Sequence, residues 1–164
     1  MSRYGELASK VDAFFGRVQA RHGADMQCAS GCHDCCVAGL TVTSVEAEAI
    51  RAEVAGWEVA RRRELAHAHA DGRGCAALDA SGRCRIYAAR PIVCRSHGAP
   101  IRLRDARSLP VVQACPKNFT TTAPDADCVL DQETLSAMVL AVDRDAGGEG
   151  ARTAIADLLA ALAR

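Results

Sequence analysis

Cys28-Ala29-Ser30-Gly31-Cys32-His33-Asp34-Cys35-Cys36 places four thiols in nine residues. The C-x3-C and C-x2-C spacings let several sulfurs converge on one ion without long loops between them. Cys75, Cys84, Cys94, Cys115 and Cys128 follow, so the chain can return and complete what this stretch begins. The expected fold is therefore mainly α: a small single domain whose irregular, cysteine-rich metal-binding centre is flanked by helices.

A chain of 164 residues with 49% apolar composition can bury one ordinary core. The organisation expected is one domain over 1–164, with a cysteine-cluster region at 28–119 and flanking helices at 1–24 and 131–164. Formal charge is zero, from 20 basic and 20 acidic residues, so no global field draws the protein to nucleic acid or to an anionic membrane. Arg3, Glu6, Lys10 and Asp12 interrupt any apolar run of signal-peptide type, and no transmembrane stretch appears. The expected location is the cytoplasm, a reducing compartment where thiols stay available, so metal binding outranks a disulfide framework. Aromatic residues make up only 4%, leaving a core of Ala, Val, Leu and Ile to which a metal cross-link would add stability. Without metal, the middle of the chain is expected to be poorly ordered.

Upstream of the cluster, Leu7, Val11, Phe14, Phe15 and Val18 recur at helical spacing, predicting an amphipathic helix that ends near His22-Gly23. Downstream, the stretch 37–42 is short and β-prone. Thr43 with Glu46 three residues on is a capping-box signature, predicting a helix from Ser44 through Val54, with Gly56 as a break. A further helical stretch is expected from Trp57 to about Ala70, stopped by Asp71-Gly72. The segment 73–100 reads as irregular, with a turn at Ala80-Ser81-Gly82, a helical turn at 86–90, and a second turn begun by Pro91 that carries Cys94. The chain from there to Thr122 reads as loop with one strand at Leu109 to Val112. Asp131 reads as an N-cap for a helix through Leu135, Met138, Val139 and Val142, closed by Gly147-Gly148; Ile155, Leu158, Leu159 and Leu162 mark another. There is no internal repeat.

Cys35 and Cys36 are adjacent, and successive side chains diverge in a helix or a strand, so the two are not expected on one ion. If Cys28, Cys32 and Cys35 face one centre, Cys36 serves a second centre or is a buried thiol. Cys75, Cys84, Cys94 and Cys115 can complete one tetrahedral site and build another, or supply the fourth ligand of an iron–sulfur cluster. Cys128, before Val129-Leu130 at the foot of a helix, reads as a core thiol. His97 follows Cys94 at C-x2-H spacing, but a surface histidine is the commoner case. His33 lies between cysteines already spaced to bind. His67 and His69 face different sides of a predicted helix, and His22 marks a helix end.

Between Arg83 and Arg107 stand seven arginines against one acid, Asp105. They suggest either a nucleic-acid surface or compensation for thiolate charge, since four thiolates on a divalent ion leave about two negative charges. Charge compensation is the preferred reading for Arg90 and Arg95, which bracket Cys94. Few aromatics lie nearby to stack on bases. The Cys28-x3-Cys32-x2-Cys35 spacing also matches the three-cysteine signature of radical S-adenosylmethionine enzymes. Asp34 stands where those usually carry an aromatic, and the strand–helix repeats of their barrel are absent.

The cluster at 28–36, paired with Gly-Arg-Cys-Arg-Ile-Tyr-Ala-Ala-Arg-Pro-Ile-Val-Cys-Arg at 82–95 and Ala-Cys-Pro-Lys-Asn at 114–118, resembles the YkgJ-type cysteine-cluster family, described as zinc- or iron-chelating domains. The resemblance puts Cys28, Cys32, Cys35, Cys36, Cys75, Cys84, Cys94 and Cys115 on the family's recurrent cysteines. Arg90, Pro91 and Arg95 fall on its recurrent Arg-Pro and Cys-Arg positions. A related cluster in some flagellin lysine methylases implies an iron–sulfur, methyl-transferring relative, but no glycine-rich S-adenosylmethionine loop follows a strand here. The leading expectation is a metal-binding protein that chelates zinc or iron, iron–sulfur included, through those eight cysteines, with no catalytic residue assigned. The alternatives are an iron–sulfur-dependent protein-modifying enzyme of methylase type and a nucleic-acid-binding zinc module. A metal ion is the expected partner, a protein partner is unidentified, and neither nucleic acid nor membrane is expected.

Overall fold

Ser2 opens the first helix: its Oγ accepts the Gly5 amide at 3.1 Å, satisfying one of the helix's unpaired N–H groups. This helix, α1, spans Arg3–His22 and buries Leu7, Val11, Phe14 and Val18, the apolar stripe that its sequence periodicity predicts. The structure, a computed structural model, describes residues 2–67 and 74–164. Contacts divide the chain into two compact units, Met1–Ala29 with Ile92–Ala141, and Ser30–Pro91 with Val142–Arg164.

In the first unit α1 packs against α4 (Ile92–Ser96). Pro91 precedes this helix and Cys94 lies on it, as the sequence predicts. A three-stranded sheet follows, in the order β3-β2-β4: β2 (Ile101–Arg104) runs antiparallel to β3 (Pro110–Gln113) and parallel to β4 (Leu130–Asp131). The register of the antiparallel pair runs from Ile101 opposite Gln113 to Arg104 opposite Pro110. The single strand expected at Leu109 to Val112 thus starts one residue later and has a partner that the sequence reading assigned to loop. Asp105 makes the connection: Oδ1 accepts the amides of Arg107 at 2.8 Å and Leu109 at 2.9 Å, with Ser108 in the left-handed region at φ 61°. The core here is Phe14, Val18, Met26, Ala99 and Cys128, with Phe15, Cys28, Phe119 and Leu130 against it.

The second unit is built on α2 (Ser44–Ala55) and α6 (Ile155–Leu162), each entered from a short strand. Those strands, β1 (Thr41–Thr43) and β5 (Arg152–Ala154), pair antiparallel with Thr41 opposite Ala154 and Thr43 opposite Arg152. The capping box is present, with Glu46 Oε2 accepting the Thr43 amide at 2.9 Å and its hydroxyl at 3.1 Å. Ala47, Ile50 and Val54 then bury one face of α2 against Trp57, Leu65, Ile86, Leu158 and Leu159. The helical stretch expected from Trp57 begins at Val59 instead, as α3 (Val59–Arg63), and tightens into a 3-10 turn at Glu64–His67. Trp57 stays outside because its buried indole donates back to Glu53 Oε1 at 3.1 Å, and Glu58 is extended. The expected end of that stretch, through His69 and Ala70 to Asp71-Gly72, lies outside the described residues.

The last long helix before α6 is α5 (Gln132–Asp145). Asp131 caps it as expected, Oδ1 accepting the Thr134 amide at 2.8 Å. Within the second unit, fully buried Asp143 ties the end of α5 to the start of α2, because Oδ1 accepts the Val45 amide at 2.8 Å while Oδ2 accepts that of Gly150 at 3.2 Å. Among the described residues no helix is long and apolar enough to cross a membrane. The fold is mainly α with small sheets.

Candidate metal centre

Backbone pairing joins the segments of the second unit that bear Cys36, Cys75 and Cys84. The Cys36 carbonyl accepts the Cys75 amide at 2.9 Å, beside a bridge between Val37 and Gly74. Leu78 returns its amide to the Cys75 carbonyl at 3.1 Å and bridges to Cys84. Cys36, Cys75 and Cys84 therefore share one small ladder. Cys75 is buried in the core, with Cys36 and Cys84 half-buried against it. Burial pushes the Cys75 thiol up, opposed by a hydrogen bond from the Ala77 backbone. Burial likewise pushes Cys84 up, opposed by the Ile86 backbone; the charge of Cys75 pushes it further and the Arg90 guanidinium pulls it back.

Cys32 is exposed and Cys35 half-buried on the loop ahead of this ladder. His33 between them lies against the turn that precedes Cys84: a Cβ on Gly82 would fall 2.6 Å from its Nδ1, and only the glycine at φ +77° leaves room. His33 Nδ1 is 2.9 Å from the Gly31 carbonyl, which can only accept, so Nδ1 carries the proton. The turn is held by Asp79, whose Oδ1 takes the Ser81 hydroxyl at 2.6 Å and the amides of Ser81 and Arg83 at 2.8 and 2.9 Å. Those bonds, the Ser81 hydroxyl's first, lower its carboxyl to about 2.

Cys28, Cys94, Cys115 and Cys128 belong to the first unit. Cys128 is fully buried in its core, as expected. Cys28 is half-buried, and its Sγ receives the Asn118 side-chain amide at 3.2 Å. Asn118 also donates to the Gly98 carbonyl at 2.8 Å, and its backbone amide reaches the Cys115 carbonyl at 2.8 Å. The stretch bearing Cys28, the residues after α4 and the turn from Cys115 thus meet at one side chain. Gly98 was not singled out from the sequence, and Asn118 entered only as the last residue of the 114–118 motif, with no role assigned. The available signals were a buried-type amide three residues after Cys115 and a glycine four after Cys94. His97 is exposed.

The arginines work largely within the chain. Arg95 is held by Asp12 of α1, Arg102 by Asp131 at 2.9 Å, Arg104 by Glu133 at 3.1 Å, and Arg85 donates to the Glu64 carbonyl at 3.0 Å. Arg90 lies over the Tyr87 ring at 4.1 Å, and its charge acts on the Cys84 thiol.

None of the nine cysteines is joined in a disulfide. Among the described residues, however, no three His, Cys, Asp or Glu side chains form a group that could hold an ion. The donors are of thiophilic type, with N–H groups from Ala77, Ile86 and Asn118 directed at three of the sulfurs. A family model described as "Putative zinc- or iron-chelating domain" matches residues 27–128, more than half of the chain. The chain belongs to the CxxCxxCC family. The CxxCxxCC match takes in all eight cysteines expected as ligands and Cys128 as well. Membership and cysteine content together support metal binding. No curated protein and no solved structure matches the chain.

Proposed function

We propose that this CxxCxxCC protein is a cytoplasmic metal-binding protein that holds zinc or iron through cysteine thiolates, drawn from Cys32, Cys35, Cys36, Cys75 and Cys84 in one unit and Cys28, Cys94 and Cys115 in the other. The observation that carries this reading is the backbone ladder joining Cys36, Cys75 and Cys84 within the family-matched segment. Such pairing keeps the segments that bear these three thiols in reach of one another, as ligation of one ion requires. Metal binding itself draws the sulfurs together, since site formation and local ordering are one equilibrium. All-sulfur donors suit both zinc and iron–sulfur centres. Iron is favoured because three near cysteines plus a remote one commonly hold a four-iron cluster.

Metal analysis with a visible spectrum, on protein purified without oxygen, tests the proposal. Brown protein containing iron and acid-labile sulfide establishes the cluster form, and colourless protein with stoichiometric zinc establishes the zinc form. Protein that takes up neither, from cells or on reconstitution under reducing conditions, refutes metal binding.

A further inference from the structure

Residues 30–34 open the second unit as exposed chain, and none of their side chains belongs to its hydrophobic core. One of them nonetheless has a seat. A Cβ on Gly82 would fall 2.6 Å from His33 Nδ1 and 2.8 Å from Cε1, so the imidazole ring lies on the bare α-carbon of this glycine. The ring is aimed from its own side, because Nδ1 donates to the Gly31 carbonyl at 2.9 Å while the His33 carbonyl accepts the Cys36 amide at 2.8 Å. The seat is held from the other. Gly82 donates its amide to the Asp79 carbonyl at 3.0 Å, the Asp79 amide donates to the Arg83 carbonyl at 2.8 Å, and the Asp79 carboxylate gathers the amides of Ser81 and Arg83. Both the left-handed φ of +77° and the close approach of the ring require glycine at 82.

We propose that residues 30–35 form a strap and that His33 is its clasp: the imidazole seated on Gly82 holds the segment bearing Cys32 and Cys35 against the turn ahead of Cys84, and its release opens the strap while the core of the unit stays folded. The inference goes beyond the metal reading and does not draw on it. A ring lying on backbone is held by dispersion, which is small per atom pair, so the closed and open states of an exposed segment differ far less than the folded and unfolded states of the core. Cys32 and Cys35 stand one residue before the clasp and two after it. They therefore leave the turn together.

Hydrogen exchange, read by mass spectrometry on the full-length reduced protein as purified, tests the strap, with the Cys36 amide on the His33 carbonyl as its reporter. His33→Asn keeps a side-chain donor for the Gly31 carbonyl and loses the ring; Gly82→Ala keeps the ring and fills its seat. Each is expected to speed exchange at 30–36 about five- to tenfold, with exchange in α2 as in the wild type. Because both remove one contact, the double variant is expected to exchange no faster than the faster single one. Gly147→Ala, at φ +86° with nothing within 4 Å of the added carbon, carries left-handed strain without displacing a ring, and is expected to leave 30–36 unchanged. Should Gly82→Ala fail to fold, His33→Asn decides alone. The proposal is overturned by unchanged exchange at 30–36 in His33→Asn, by single effects that add in the double variant, or by α2 speeding up in step with 30–36, which is general loosening and not an opening strap.

Discussion

Gly98 adopts φ +95°, and a β-carbon there would overlap Cys28 Sγ at 2.5 Å. Gly98→Ala therefore combines left-handed backbone strain with displacement of a thiol, and is expected to lower stability by about 1–3 kcal/mol, read as a lower urea midpoint. Asp143 poses a different problem, because both its carboxylate oxygens accept backbone amides while the side chain is fully buried. Asn at this position turns one acceptor into a donor facing an N–H, so Asp143→Asn is expected to cost roughly 1–3 kcal/mol in the same measurement. The sequence announces the cysteines by their spacing. It marks Asn118 only as the end of the 114–118 motif and cannot announce its partners, which lie 90 and 20 residues away and are met only after folding. Asp143 was passed over for the same reason: its reach is 98 residues back to Val45.

The start of α2 was legible because a capping box is a local code; Thr43→Ala is expected to cost about 1 kcal/mol in thermal or urea unfolding, and Thr43→Ser much less. Asp131, the cap of α5, adds a pH dependence. Hydrogen bonds from Thr134, and then from Arg102, hold its carboxyl at about 2 against an ordinary 3.8. The unfolded chain thus binds more protons between those values, so the cap's contribution is complete above about pH 4 and is lost as pH falls through about 2. Asp131→Asn is expected to flatten that part of the acid-unfolding profile, followed by circular dichroism. Helices α1, α2, α5 and α6 were legible from period and caps. Strand β2 was not: Ile101 and Leu103 do alternate with Arg102 and Arg104, but the arginines were read as a charged surface. Asp131 and Glu133, which explain two of them, stand about thirty residues downstream.

For the molecule as a whole, the mainly α class followed from composition and periodicity, while the assignment of stretches to two units did not. Each unit gathers segments far apart in the chain, and pairing over such distances leaves no local mark. Removing bound metal with a chelator is expected to lower the melting temperature and open 28–36 and 75–94 to protease, compared side by side with reloaded protein. In the core, Ile50→Ala should cost about 2–5 kcal/mol, because the side chain is fully enclosed. The pairing of β1 with β5 has a temporal meaning as well. The ladder of Cys36, Cys75 and Cys84 packs on a core that needs Leu158 and Leu159, and β1 has no partner until Arg152–Ala154 exist. On a ribosome adding about 5–20 residues per second, the interval from Cys84 to α6 lasts on the order of ten seconds. For that time the segments bearing Cys36, Cys75 and Cys84 exist without the helix that completes the core they pack against.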